Sequence, residues 1–243
     1  MSTKTWFLKR CRLFEQLTPE QCDRLERRGL LREFRRGELV YFPGQPGDSV
    51  LLLAKGRVKI KHLTPEGKEA ILAFIDEGEL FGELALVDDS PRDEYAEAVA
   101  ASQVVAIPRK DLLWLVEQRP DVAMHITKLV GLRRRRIENR LRNVLFCSSR
   151  ERVAAILLEL LESHAHRDGD RLEIGLRLSH QELASLIGAT RETVTVVLGN
   201  LQLERLIQVR RRRITVLDRE GLVRVLNGPT ASPRPAGQGS VAR

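Results

Sequence analysis

Residues 179–201 read SHQELASLIGATRETVTVVLGNL, and no other stretch of the chain constrains the fold as tightly. Ser179 is a good N-cap, and Glu182 three residues on completes a capping box. The pattern predicts a first helix ending near Ile187. Gly188 supplies the tight turn, because positive φ is cheap at glycine. Thr190 is a second N-cap, and a second helix is predicted to about Leu203. Ala184 is small enough to let the two helices approach. Val194, six residues after Gly188, plugs the angle between them, and Leu183, Ile187, Val197 and Leu198 complete a small core. This is the spacing of a DNA-binding helix-turn-helix.

The second helix opens Thr190-Arg191-Glu192-Thr193. Residues at the N-terminus of a recognition helix point at base edges in the major groove. Arg donates two hydrogen bonds to guanine O6 and N7, and Glu accepts from cytosine N4. Arg191 and Glu192, with Thr195 one turn on, are therefore the expected base contacts. The alternative is that Arg191 and Glu192 are an exposed ion pair. Ser179, His180 and Gln181 open the first helix, where backbone N–H groups meet phosphate, and Thr190 and Thr193 are placed with them as backbone contacts. Beyond Leu206, two β-branched runs, 207–209 and 214–216, flank Arg210, Arg211, Arg212 and Arg213. They predict a small hairpin, or wing, whose arginines sit on phosphates and give salt-dependent affinity.

Charge agrees with that placement. Residues 1–120 carry 19 Lys+Arg and 20 Asp+Glu, whereas residues 121–243 carry 22 and 13, so the net charge of +8 is concentrated in the second part. A basic half suits a polyanion, although a solvated basic surface would give the same count. No run reaches the roughly 18 apolar residues of a membrane span, and residues 1–12 lack the pattern of a secretory signal. Both point to the cytoplasm. Cys11, Cys22 and Cys147 are too widely spaced for a disulfide framework or a zinc site.

The rest of the chain divides by texture. The first thirty residues read helical, with Thr18-Pro19-Glu20 as a cap. From Leu31 to Pro108, short β-leaning runs (38–42, 49–54, 57–63, 70–75 and 103–107) are cut by Pro-Gly and Gly turns, which suggests a sandwich or jelly-roll barrel. A short helix is predicted over 109–117, then a long one from Asp121 to about Cys147. Its apolar residues Val122, Ile126, Leu129, Val130, Ile137, Leu141 and Val144 form a stripe for another helix, read as a dimer seam. The alternative is packing against its own β-domain. Arg133–Arg136 lie inside this helix and read as solvated, since four consecutive positions point all round the cylinder. The amphipathic run 153–161 opens a new domain, 164–170 reads as a polar loop, and 172–178 as a short strand. The tail, 227–243, is expected to be disordered. The domains predicted are 1–118, a linking helix and hinge 119–149, 150–226, and the tail; the class is α+β.

With SHQELASLIGATRETVTVVLGNL followed by LERLIQVRRRRITV, and with FGELALVDDSPRDEYAEA at Phe81–Ala98, the chain resembles the cyclic-AMP receptor protein/FNR family of bacterial regulators from about residue 10 to 225. The resemblance implies a homodimer, an N-terminal β-roll of cyclic-nucleotide-binding type and two recognition helices on a near-palindromic site. RNA polymerase is a further partner if the output is activation. Arg191 and Glu192 fall on family base-contact positions. A further such position, often Arg, is Val196 here, so the half-site is expected to share only part of the family's TGTGA-like core.

The resemblance also marks an effector pocket: Gly82, Glu83, Leu84, Arg92, Asp93, Ile137 and Glu138. Gly82, Glu83 and Leu84 match the ligand cradle, and Arg92 matches the phosphate-pairing arginine. Asp93 stands where nucleotide binders usually have Ser or Thr, and Glu94 follows. Two carboxylates there are expected to repel phosphate and to pair with Arg92. Ile137 and Glu138 stand where the cyclic-AMP receptor contacts adenine, and neither is Thr or Ser. Cyclic AMP is therefore not the expected effector; a different small molecule, or none, is. FGELAL is equally explained as a turn the β-roll needs. No metal or cofactor site is expected. An effector would act by shifting how the long helices pair, through a hinge near 146–152.

Two other classes fit the chain less well. An enzyme lacks a catalytic triad, zinc motif or phosphate loop; the acidic set Glu83, Asp88, Asp89, Asp93 and Glu94 reads as a solvated loop. A signal-binding module without DNA function conflicts with the helix-turn-helix.

Overall fold

The computed structural model describes residues 11–14, 16–88, 90–168 and 171–227. Residues 1–10 and 228–243, which include most of the tail expected to be disordered, lie outside the described residues. The chain forms two compact units that meet in sequence between Asn139 and Arg140.

In the first unit, a 3₁₀ turn at Arg12–Phe14 precedes α1 (Pro19–Arg28), β1 (Leu30–Phe34), β2 (Leu39–Tyr41), β3 (Ser49–Lys55), β4 (Val58–Leu63), β5 (Glu69–Ile75) and β6 (Leu80–Phe81). A second 3₁₀ turn, Glu83–Leu86, leads to β7 (Tyr95–Ala98), β8 (Ser102–Pro108), α2 (Arg109–Gln118) and α3 (Pro120–Phe146). Two antiparallel four-stranded sheets result, ordered β1-β8-β3-β6 and β2-β7-β4-β5. β3 and β8 read as nearly continuous apolar runs because both their faces are covered. Leu51, Leu53, Val104 and Ala106 point between the sheets, against Tyr41, Val58, Ile60, Ile75 and Ala96. Val50, Leu52, Val105 and Ile107 point the other way, against Leu25 of α1, Leu112 and Leu115 of α2 and Val122 of α3.

Several local expectations need correction. Among the described residues of the first thirty, α-helix is confined to Pro19–Arg28; Leu30 starts β1, opposite Ala106. Strands β1, β6 and β7 were not predicted. The polar loop expected at 164–170 contains a strand, and the strand expected at 172–178 stops at Ile174. The stripe on α3 divides along its length. Val122 is fully buried in the first unit's own core, with Ile126 and Leu129 packed beside it, whereas Ile137, Leu141 and Val144 are exposed. Packing against the chain's own β-domain therefore holds for the first half of the stripe, and the second half is left exposed. Arg133 is also not solvated. It lies four residues after Leu129 on the inward face, and its guanidinium reaches Glu83 Oε2 at 2.7 Å and the Leu80 carbonyl at 2.5 Å.

The second unit comprises the end of α3, α4 (Ser149–His164), β9 (Ala165–Asp168), β10 (Arg171–Ile174), α5 (His180–Ile187), α6 (Arg191–Leu203), β11 (Ile207–Arg210), β12 (Arg213–Val216) and α7 (Arg219–Asn227). Its sheet runs β11-β12-β10-β9. α4 is the central element: Val153, Ala154, Ile156, Leu157, Leu160 and Leu161 are buried, and it packs against α5, α6, α7 and β10. The bidentate pair of Arg140 with Glu159, at 2.6 and 3.2 Å, ties the end of α3 to α4.

Candidate DNA-reading surface and effector cradle

The helix-turn-helix forms as its sequence dictates. The Ser179 hydroxyl accepts from Glu182 N–H at 3.1 Å, and Ser179 N–H donates to Glu182 Oε2 at 2.7 Å. Gly188 closes α5 with φ +63°, its N–H on the Ala184 carbonyl. Arg152 of α4 caps the same end, donating from Nη1 to the carbonyls of Ile187 (3.0 Å) and Gly188 (3.3 Å). The sequence reading missed Arg152; only its position one turn into a helix that packs on α5 hints at it. A Cβ at Gly188 would meet the Val144 side chain at 3.6 Å, an ordinary contact. The cost of Gly188→Ala is thus conformational alone, about 1–2 kcal/mol. Urea unfolding of the second unit, followed by far-ultraviolet circular dichroism, should show a loss of that size with no change in the fold.

α6 turns Val194, Val197, Leu198 and Leu201 into the core and presents Arg191, Glu192, Thr195, Val196 and Asn200 to solvent. The Thr190 hydroxyl accepts from Thr193 N–H at 3.2 Å, so these two residues cap the helix. Glu192's own backbone N–H and the Thr190 hydroxyl hold its carboxyl below the usual carboxylate range, which keeps it an acceptor at neutral pH. Thr195 is differently employed. Its hydroxyl donates to the Arg191 carbonyl at 2.8 Å, which leaves its lone pair facing His180 Nδ1, also at 2.8 Å. That pair of bonds joins α5 to α6. Because Ser179 N–H and Glu182 N–H bond each other's side chains, the helix-start amides with no partner by position are those of His180 and Gln181.

The wing is a two-residue hairpin. Arg210 pairs with Arg213, and the turn is Arg211 (φ +48°) and Arg212 (φ +67°). Two positive φ values define the type I′ turn, where Asn-Gly is the favoured pair. All four arginines are exposed, but Arg213 donates to Glu173 of β10 at 3.0 Å. The arginines at the tip are Arg211 and Arg212.

The cradle residues of the β-roll come together only in part. Gly82 is buried at φ +66°. Arg92, 9% exposed, lies over it, donating from Nη1 to the Gly82 carbonyl at 2.8 Å and from Nη2 to the Ser49 carbonyl. Its guanidinium carbon sits 4.6 Å from the centre of the Tyr41 ring. Arg92 does not pair with Asp93 or Glu94, contrary to expectation. Backbone carbonyls hold its head inward, Asp93 is exposed, and Glu94 takes the Tyr41 hydroxyl at 2.5 Å. Burial raises the Glu94 carboxyl above its usual range, and the neighbouring charges of Glu83 and Asp93 add to this. Glu83 faces Arg133. Leu84 is exposed, as is Ile137, and Glu138 bonds Arg134 at 2.7 Å rather than the cradle. Asp88 is exposed too; Asp89 lies outside the described residues. Tyr41 and Arg133 are the participants that the sequence reading missed, and Glu94 has a partner it did not expect. Arg133 alone carried a signal, its place on the stripe after Leu129. Beside Glu83, a cavity of about 370 Å³ opens among Leu13, Gly78, Leu80, His125 and Leu129.

A cyclic nucleotide-binding domain matches residues 31–119, and a Crp-like helix-turn-helix domain matches residues 151–225. The chain is 30% identical over 217 residues to a CRP-like cAMP-activated global transcriptional regulator of Mycobacterium tuberculosis, covering 89% of this chain and 97% of that one. It is 34% identical over 197 residues to the cyclic AMP receptor protein of Thermus thermophilus, covering 81% and 88%. The crystal structure of a CRP/FNR-family transcriptional regulator, also from Thermus thermophilus, superposes with a TM-score of 0.64 at 32% identity, covering 82% of this chain and 99% of that one. With a β-roll, a long helix and a Crp-type helix-turn-helix in that order, the chain belongs to the CRP/FNR family of transcription regulators, and not to an enzyme family.

Proposed function

We propose that this regulator acts as a homodimer on a near-palindromic operator, reads bases with Arg191 and Glu192, and does so without cyclic AMP. The observation that carries the reading is the free start of α6. Arg191 and Glu192 are both exposed there, and Glu192 is held ionised by its own cap. Ile137, Leu141 and Val144, exposed at helical spacing on α3, supply the face for a second copy. Thr195 serves α6 by orienting His180 rather than by reading a base. His180, Gln181, Arg211 and Arg212 take phosphates. RNA polymerase is the further partner if the output is activation.

The cradle supports independence from cyclic AMP. The groups that would hold a nucleotide are already engaged within the chain: Glu83 by Arg133, Arg92 by two carbonyls and Tyr41. A cyclic phosphate would have to draw Arg92 away from those carbonyls beside the Glu83 carboxylate, which disfavours an anion. The two relatives named for cyclic AMP are thus a guide to this chain's fold and DNA function, and not to its effector. The cavity beside Glu83 has the size of a small-ligand site, which keeps a second reading alive, control by a different small molecule.

The test is the affinity of ligand-free protein for its best duplex from a random pool, at physiological salt, with and without cyclic AMP. Nanomolar binding that cyclic AMP leaves unchanged is the expected result. Weak, unselective binding that cyclic AMP restores would overturn the reading of the cradle.

The wing yields a separate expectation. Arg211→Asn with Arg212→Gly removes two positive-φ arginines and should stabilise the second unit by about 1–2 kcal/mol. The same change should weaken DNA binding on all sequences alike. The log–log salt slope should become shallower by about 0.9 for each phosphate no longer neutralised. Titration at several salt concentrations measures it. An unchanged slope would place the wing away from DNA.

A further inference from the structure

The outward face of α6 carries an apolar group where a DNA-reading helix usually has polar ones. Val196 is 63% exposed. It lies four residues after Glu192, hence on the same stripe, diametrically opposite the buried Val194, Val197, Leu198 and Leu201. It is not among the buried residues of its helix. Three residues on, the same stripe reaches Gly199, where an added Cβ would meet nothing within 4 Å. A glycine inside a helix costs roughly 0.5–1 kcal/mol relative to alanine. Among the described residues no neighbour requires Gly199, so its use is to leave the outer surface flat for something that approaches from outside. A branched apolar group beside a bare stretch of helix fits a base edge that offers a methyl group rather than a hydrogen bond.

We infer that Val196 is a specificity-determining residue that reads the 5-methyl group of a thymine, with Gly199 giving the base pair room to approach. The inference rests on α6 being the recognition helix. In the major groove only thymine among the four bases presents a methyl, at C5, and apolar side chains recognise it by contact. Four residues of α-helix rise about 6 Å, and base pairs stack about 3.4 Å apart. Val196 therefore reads a pair within about two steps of the one read by Glu192. The half-site then combines polar readout at the start of α6 with apolar readout one turn later. An arginine in the place of Val196 would demand guanine instead.

The experiment uses full-length protein and its selected duplex, with each thymine of the half-site replaced in turn by uracil, which differs only by lacking the methyl. At one thymine, in both half-sites together, affinity should fall by on the order of 15-fold, about fourfold per methyl removed. Val196→Ala should bind the thymine and uracil duplexes equally. Val196→Thr, which keeps one methyl at the same place, should retain part of the difference. Uracil substitution without effect at every position, or an undiminished thymine preference in Val196→Ala, would overturn the assignment and leave α6 as a DNA reader. If no duplex is enriched from the pool at all, the DNA-reading conclusion falls and this one with it.

Discussion

Arg191→Ala is expected to weaken binding to the selected operator by about 1–3 kcal/mol per half-site, or about 2–6 kcal/mol for a two-fold complex. The loss should fall on one base pair in each half-site, so that the variant tolerates replacement there while nonspecific affinity changes little. The structure makes this a clean experiment. Arg191 is exposed and helps neither the cap of α6 nor its buried face; the cap is made by Thr190 with Thr193 and Glu192. A surface substitution of this kind shifts stability by no more than about 0.5 kcal/mol, so a fall in affinity reports the missing arginine at the base edge. The competing reading, in which Arg191 and Glu192 merely pair with each other, predicts no change in base preference. Equal weakening on all sequences would instead assign Arg191 to the phosphates. Competition titrations with single-position operator variants separate the three.

The helix-turn-helix was legible because its determinants are local. Ser179 and Glu182 cap each other three residues apart, Gly188 turns the chain where its φ is +63°, and Thr190 caps its own helix. Each such bond is set by neighbours in sequence, so the sequence carries it. The β-roll was legible in outline for a related reason: β3 and β8 are buried on both faces, and continuous apolar runs betray them. β7 was missed because its four residues, Tyr-Ala-Glu-Ala, have little intrinsic strand preference and are held by pairing with β2 and β4 on either side. β6, two residues long, exists only as a partner of β3.

The cradle was the least legible part, and the distances along the chain explain it. Arg92 finds a carbonyl 43 residues away, Arg133 a carboxylate 50 residues away, and Tyr41 a carboxylate 53 residues away. Charge counting at Arg92-Asp93-Glu94 predicted a pairing between sequence neighbours. The fold instead sends Arg92 inward, leaves Asp93 outside, and gives Glu94 to Tyr41. The partner expected for the arginine from its sequence neighbours is therefore wrong.

Arg92→Met is the second large expected effect, and it separates a structural arginine from a ligand-binding one. Arg92 is nearly buried, bonds the carbonyls of Gly82 and Ser49, and stacks over Tyr41. Methionine fills much of the same volume and donates nothing. Each hydrogen bond from a charged group contributes about 1.5–3 kcal/mol, so the ligand-free protein should lose about 3–6 kcal/mol. Trp114 packs against the first unit's core and no tryptophan follows it in the chain, so its fluorescence during urea unfolding reports on the first unit and not on the helix-turn-helix. Arg92→Lys keeps the charge but lacks the fork that spans two carbonyls, and should lose roughly half as much. An arginine held ready for a ligand behaves in the opposite way. Its removal from the empty site leaves stability unchanged or raises it, because binding groups are commonly kept at some cost to the fold. A stability loss of the expected size would identify Arg92 as the clamp that fixes Gly82 and the start of β3, with the FGEL turn kept for the β-roll itself. No loss would reopen the cradle as a binding site and point the search for an effector back to anions.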